Sequence, residues 1–170
     1  MNLKTWRVLN LGKLTIVPRF MQFYMQKITI ERLKQSGWEQ NRKIDVSVIK
    51  NRFCEIGLEF PENVSKFLEE FGMLFINLPE MNDNDVNLNP INAIGVNVSH
   101  EYFENCLKDY GIDEEVFPVG ETCRGNLLLL MTKENRFYEF TDNCVIKAGE
   151  SVDEMFDILV GKCKKRTYIC

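Results

Sequence analysis

His100 is the chain's single histidine, so catalysis of the Ser-His-Asp or Cys-His kind would have to run through it. It follows Ser99, a serine placed to cap a helix, and a helix N-terminus disfavours a protonated imidazole; a surface or capping residue is the reading. In Glu121-Thr122-Cys123-Arg124-Gly125-Asn126 the arginine beside Cys123 could lower the thiol pKa. The glycine-rich loop and Cys-to-Arg spacing of a phosphatase cradle are missing there, so Cys123 reads as a loop residue. Asp83 and Asp85 lie among asparagines in a faintly calcium-loop-like stretch that lacks the fixed glycine and the terminal glutamate. Asp113-Glu114-Glu115 is a like-charge run of the kind found on a solvated face. Six cysteines, at 54, 106, 123, 144, 163 and 170, form no Cys-x-x-Cys pair, which leaves a zinc site little to build on. There is no Gly-rich phosphate loop and no basic patch with interleaved aromatics in the body of the chain. The chemistry-bearing residues therefore point to a non-enzymatic domain without metal or cofactor.

The elements that would position these residues are those of an ordinary globular chain. At 170 residues, 45% hydrophobic and 27% charged, it is long enough to bury a core without a covalent staple. No apolar run reaches the length of a membrane span. In the absence of a secretion signal the cysteines read as reduced thiols of a cytoplasmic protein, most of them small core hydrophobes, with a disulfide framework as the alternative. The formal charge of −4 is unevenly spread: residues 1–26 hold Lys4, Arg7, Lys13 and Arg19 and no acid, so the remainder carries 17 basic against 25 acidic residues, a net of −8. Such a field repels nucleic acid and suits a cationic protein partner, although charge of this size also serves solubility alone.

Residues 1–26 are expected to be a basic extension, disordered or loosely docked, ahead of a domain over 27–165, with 166–170 as a tail. A membrane-surface or transit segment is the alternative for the extension, since Lys13, Pro18 and Arg19 interrupt the apolar run a signal peptide needs. Ile30 and Leu33 begin a helical pattern closed by Gly37. Asp45 is placed to cap a second helix, with Val46, Ile49, Phe53 and Ile56 on its inner face before Gly57. Pro61 starts a third, through Val64, Phe67, Leu68 and Phe71, which Gly72 is expected to end in the left-handed conformation before a strand over 73–78. Residues 80–90 read as an exposed loop and 93–98 as a strand. Ser99 caps a helix that carries Tyr102, Phe103, Cys106 and Leu107 to Gly111. Short strands follow at VFPVG, NLLLLMT, RFYEF and CVIKA, and Ser151 to Glu154 has capping-box spacing. Helices cluster first and strands later, which predicts an α+β domain with a mostly antiparallel sheet and helices packed on one face.

The ordered set LKQSGWEQNRKID, GLEFPENVSKFLEEFGMLFINLP, VFPVGE, NLLLLMTKENRFYEF and GESVDEMFDILVGK closely resembles the third subgroup of the SUKH superfamily, over about residues 28–162. The resemblance implies an α+β fold and a bacterial immunity protein that binds and neutralises a cognate toxin domain, often a nuclease or nucleic-acid deaminase, rather than nucleic acid or membrane. The family pattern falls on Gly37, Trp38, Arg42, Phe67, Leu68, Phe71, Gly72, Pro118, Gly120, Tyr138 and Ser151, and implies mostly structural roles for them. Two positions depart from it: Met73 and Asn135 stand where the family usually has glycine. The implied partner gives the acidic body a purpose, because toxins acting on nucleic acid tend to have basic clefts. Between Glu80 and Glu121 ten acidic residues face Lys108 alone, and Asp83, Asp85, Asp113, Glu114, Glu115 and Glu121 are the candidate partner-binding residues. The rival readings are a peptide- or protein-binding scaffold of the same superfamily, not linked to a toxin, and a small hydrolase with two acids in a pocket. Oligomeric state is left open by the sequence.

Overall fold

The computed structural model describes residues 24–78, 85–94, 100–141 and 144–169. Three helices come first: α1 (Lys27–Gln35), α2 (Ser47–Glu55) and α3 (Glu62–Phe71). Two short strands, β1 (Phe75–Ile76) and β2 (Val86–Asn87), precede α4 (Pro90–Ile94) and α5 (His100–Lys108). Then come β3 (Val116–Thr122), β4 (Leu127–Thr132), β5 (Phe137–Thr141) and β6 (Cys144–Gly149). Finally α6 (Val152–Phe156) runs on as a π-helical turn, Asp157–Gly161, before β7 (Thr167–Tyr168). The seven strands form one antiparallel sheet in sequence order, β1 to β7.

The α+β architecture follows from period-2 alternation in the long central strands. Phe117 and Val119 of β3, Leu129 and Met131 of β4, Phe137 of β5 and Ala148 of β6 share a core with Leu33, Phe53, Val64, Phe67, Leu68, Phe71 and Phe156. That face is the one covered by α1–α3 and α6. The alternate residues Val116, Leu130, Tyr138, Phe140 and Val145 pack with Leu107 of α5 and Ile112, so α5 adds a smaller layer on the opposite face. Both faces of β4 and β5 are consequently apolar, which is why NLLLLMT reads as a continuous hydrophobic run.

The helix-to-sheet joint is a packed aromatic stack. Phe71 lies 5.9 Å from Trp38, 5.4 Å from Phe67 and 4.7 Å from Phe156, ring centroid to centroid. Fully burying side chains of this kind stabilises by roughly 1.5–3 kcal/mol each. Arg42 closes the end of α3: its Nη1 donates to the carbonyls of Glu70 and Gly72, both at 2.9 Å, where the helix has no partners of its own.

Gly72 does not adopt the left-handed conformation expected of it. Its φ is −56°, and the left-handed residue is Met73, at φ 63°. Gly72 is required for another reason: a Cβ there would lie 2.4 Å from the Leu68 carbonyl oxygen and 3.3 Å from Cδ1 of Ile44. Gly120 is a second close approach, with its Cβ position 2.3 Å from the carbonyl oxygen of Asn87 in β2. Next to it the β3–β4 register shifts between Pro118 and Gly120, a bulge that accommodates a proline without an N–H.

Four further expectations are corrected. Val86–Asn87, expected in an exposed loop, pairs with both β1 and β3, a tertiary pairing that its polar flanks conceal. Ala93 and Ile94, expected to open a strand, end α4, and 95–99 lie outside the described residues. Thr167–Tyr168 is not tail but an edge strand against Ile146 and Lys147. Cys54, Cys123 and Cys163 are free thiols, but Cys54 and Cys163 are exposed and Cys123 half-buried rather than core hydrophobes, and Cys144 is disulfide-bonded.

Candidate functional site: an acidic rim beside an apolar groove

The rim is built at the β4–β5 turn, Lys133 to Arg136. Asn135 takes φ 65°, a left-handed conformation that asparagine tolerates. The turn is fastened to α3 by Asn63, whose Nδ2 donates to the carbonyls of Thr132 (3.0 Å) and Lys133 (3.1 Å) and to Oδ1 of Asn135 (3.1 Å). Around it stand five carboxylates. Glu114 accepts from Arg136 Nε at 2.8 Å and from the Tyr138 hydroxyl at 3.2 Å, Glu115 and Glu59 both meet Lys133, Glu134 lies 3.6 Å from Arg136, and Asp113 is exposed. Burial, reinforced by the Glu114 charge, pushes the Tyr138 hydroxyl up to about 12. The carboxylates Glu115 and Glu59 hold the Lys133 ammonium far above the usual lysine range.

The candidate acids do not form one surface. Asp113, Glu114 and Glu115 gather where β3 begins; Asp85 and Glu121 lie at its far end, roughly 20 Å away at about 3.3 Å per residue. Asp85 is engaged there with the β3–β4 turn: its Oδ1 accepts from the Arg124 N–H at 2.7 Å. Asp83 and the His100 side chain lie outside the described residues. Cys123 and Arg124 are both left-handed, at φ 53° and 58°, with the Cys123 sulfur 3.8 Å from Arg166 Nη1, which places the thiol in a turn rather than in a catalytic cradle.

Beside the rim, α3 and the start of α6 flank a groove of about 310 Å³ with Phe67, Phe71, Met131 and Val152 as its apolar lining. Asn63, Lys66, Glu70, Asn135, Ser151 and Asp153 supply its polar groups. Ser151 caps α6, accepting from the Glu154 N–H at 3.2 Å, while Glu154 accepts from the Glu150 N–H at 3.0 Å, which holds its carboxyl below the usual range. Asp153 accepts from the Tyr24 N–H at 2.8 Å through Oδ2. Its Oδ1 and the Oε1 of Glu70 are buried and accept no hydrogen bond of good geometry. Burial raises the Glu70 carboxyl above its ordinary value, opposed by the Trp38 indole N–H and the Asn41 backbone.

Sequence reasoning missed Glu70 and Asp153, because an acid in an amphipathic helix reads as solvent-facing. It also missed a buried polar network at the other end of the sheet. Glu139 of β5, wholly buried, accepts from the Thr122 hydroxyl at 2.5 Å and pairs with Arg166 at 3.2 Å. Desolvation pushes its carboxyl up, against the pull of Arg166, while burial brings nearby Lys162 down to about 8. No group of three His, Cys, Asp or Glu side chains able to hold a metal ion occurs among the described residues, and no described helix is long and apolar enough to cross a membrane.

No curated protein and no solved structure matches the chain. The sequence pattern of the SUKH-3 immunity protein family does match, over residues 25–162, and so takes in α1–α6, the groove and the rim together. The chain belongs to the SUKH-3 immunity protein family.

Proposed function

We propose that this chain binds a cognate toxin domain that acts on nucleic acid and neutralises it in the bacterial cytoplasm, without catalysis of its own. The acidic rim at the β4–β5 turn carries the reading. Five carboxylates (Glu59, Asp113, Glu114, Glu115 and Glu134) stand against Lys108, Lys133 and Arg136 on a chain whose family is one of immunity proteins. A basic nucleic-acid-binding cleft is the surface such a rim complements, and the inhibitor then gains on-rate from steering while standing in the substrate's place. Asp85 and Glu121, at the far end of β3, add to the chain's negative charge without adjoining the rim.

Glu114 and Glu115 hold cations of their own, so the informative change is at the freer acids. Asp113→Lys with Glu134→Lys should slow association with the toxin domain about tenfold or more at low salt and flatten its salt dependence, while the fold persists. Stopped-flow mixing at two ionic strengths measures this, and association rates equal to those of the unaltered chain would remove the rim from the interface. A reducing cytoplasm would hold Cys144 as a thiol. A thiol count on denatured, alkylated protein therefore reports the compartment: six for a chain kept in the cytoplasm, and six less two for one that has met an oxidising environment.

The groove favours a second reading, a scaffold that docks a peptide of some other protein. Binding of a host protein, with no binding of any toxin domain found encoded next to the chain, would select it.

A further inference from the structure

We propose that Cys144 is joined to Cys170, and that this disulfide is a redox clasp on β7: closed, it seals the backbone edge of β6, and reduced, it lets the far part of β7 come away. Neither part depends on a toxin partner.

The β6–β7 ladder identifies the pair. Ile146 stands opposite Tyr168, and Lys147 opposite Thr167. One step further along, the Ile169 N–H donates to the Val145 carbonyl at 3.0 Å, a directly hydrogen-bonded pair. The same register brings residue 170 opposite Cys144 as the following pair, one without ladder hydrogen bonds, whose Cα atoms stand about 4.5 Å apart and within the span of a disulfide. Cys54, Cys123 and Cys163 are free, which leaves Cys106 and Cys170, both with side chains outside the described residues. Cys106 belongs to α5, and α5 packs against the sheet face on which Val145 lies. Cys144 is the adjacent residue of β6, so it points to the opposite face, the one it shares with residue 170. Little else holds this end of the ladder. Arg166 anchors the approach to β7 by pairing with buried Glu139 at 3.2 Å, but Thr167 and Tyr168 are both exposed. A two-residue edge strand of this kind opens readily, and without it the outward N–H and C=O groups of β6 lose their partners. Closure removes two electrons from the two thiols, and glutathione disulfide is the oxidant: one cysteine thiolate attacks it and releases a glutathione thiol, and the other cysteine displaces the second glutathione. The two glutathione thiols carry away the two cysteine protons, and the protein disulfide remains.

The test uses the full chain, oxidised with glutathione disulfide, cut with trypsin without reductant and mapped by mass spectrometry. Amide hydrogen exchange is then followed by nuclear magnetic resonance on the oxidised and the reduced chain at one pH. Tryptic peptide 137–147, which holds Cys144, is expected to be joined to peptide 167–170 of the same chain. The Ile169 amide should exchange at least tenfold faster once the chain is reduced, while the Leu129 amide, in the centre of the sheet, keeps its rate. Cys170→Ser should leave Cys144 open to alkylation and give the faster Ile169 exchange in both conditions, and Cys106→Ser should change neither. Peptide 137–147 joined to the peptide that holds Cys106, a bond between two chains, or a Cys144 still alkylated after oxidation overturns the pairing. Exchange at Ile169 that is indifferent to reduction overturns the clasp.

Discussion

Phe71→Ala removes the ring at the centre of the helix-to-sheet joint. Phe71 is 1% exposed and packs with Trp38, Phe67 and Phe156 at centroid separations of 5.9, 5.4 and 4.7 Å. Phe→Ala changes in well-packed cores cost about 3–5 kcal/mol, and a ring in three aromatic contacts belongs at the upper end, since each such pair contributes about 0.5–1.5 kcal/mol beyond area. Neighbours that cannot collapse add to the cost: Trp38, Phe67 and Phe156 are each buried and held by other elements. With a urea m-value of about 2 kcal/mol/M, a loss of about 4 kcal/mol moves the unfolding midpoint down by about 2 M, a large part of the stability of a typical domain. Phe71→Leu, which keeps much of the volume, should cost under about 1.5–2 kcal/mol. Urea unfolding followed by far-ultraviolet circular dichroism measures both. A Phe71→Ala shift below 1 kcal/mol would refute the packed joint, and equal losses for Ala and Leu would refute the assignment of the cost to a cavity.

Other changes probe other parts of the fold. Asp157, 3% exposed on the π-helical turn, accepts from the N–H of Gln26 (2.9 Å) and from the Thr29 hydroxyl (2.6 Å), serving α1 as a cap from a distant segment. Asp157→Ala should therefore cost about 2–4 kcal/mol in denaturant unfolding, with Asp157→Asn recovering part of it; a cost under 0.5 kcal/mol contradicts the capping role. For Glu139 the folded carboxyl titrates above its unfolded value, so the unfolded chain binds fewer protons between the two and stability falls as pH rises through that window. The stability difference between Glu139→Gln and the unaltered chain should shift in favour of the glutamine variant from about pH 4 upward, and a difference flat from pH 4 to 8 would remove desolvation as the dominant effect on Glu139. Asn63→Ala, which frees the β4–β5 turn from α3, should cost about 1–2 kcal/mol and speed hydrogen exchange at Glu134 and Asn135; unchanged exchange would mean that the turn holds itself.

What the sequence revealed, and what it hid, divides along physical lines. Gly37, Gly57 and Gly111 mark helix ends because local backbone sterics alone decide them, and all three have positive φ. Gly72 looks the same in sequence, yet its constraint is a close approach to Leu68 and Ile44, which only tertiary packing produces. The long strands β4 and β5 were legible from apolar runs between turn residues. β2 was not, because two residues flanked by asparagines acquire strand geometry only from the neighbours that pair with them. The acidic run Asp113-Glu114-Glu115 was legible as charge but not as a network, since its counterions Lys133 and Arg136 are supplied by the next hairpin. Glu70 and Asp153 were invisible for the same reason: in each helix they occupy positions that would face water if the other helix were absent.

Inhibition of a toxin by binding through an acidic face is the proposal to be tested first. The direct measurement is titration calorimetry of the full chain, at two salt concentrations, against the C-terminal domain of whatever large exported protein is found encoded next to it. One-to-one binding with a Kd on the order of nanomolar, weakening as salt rises, is the expected result. No binding to that domain in its folded state, or tight binding indifferent to salt, would contradict it.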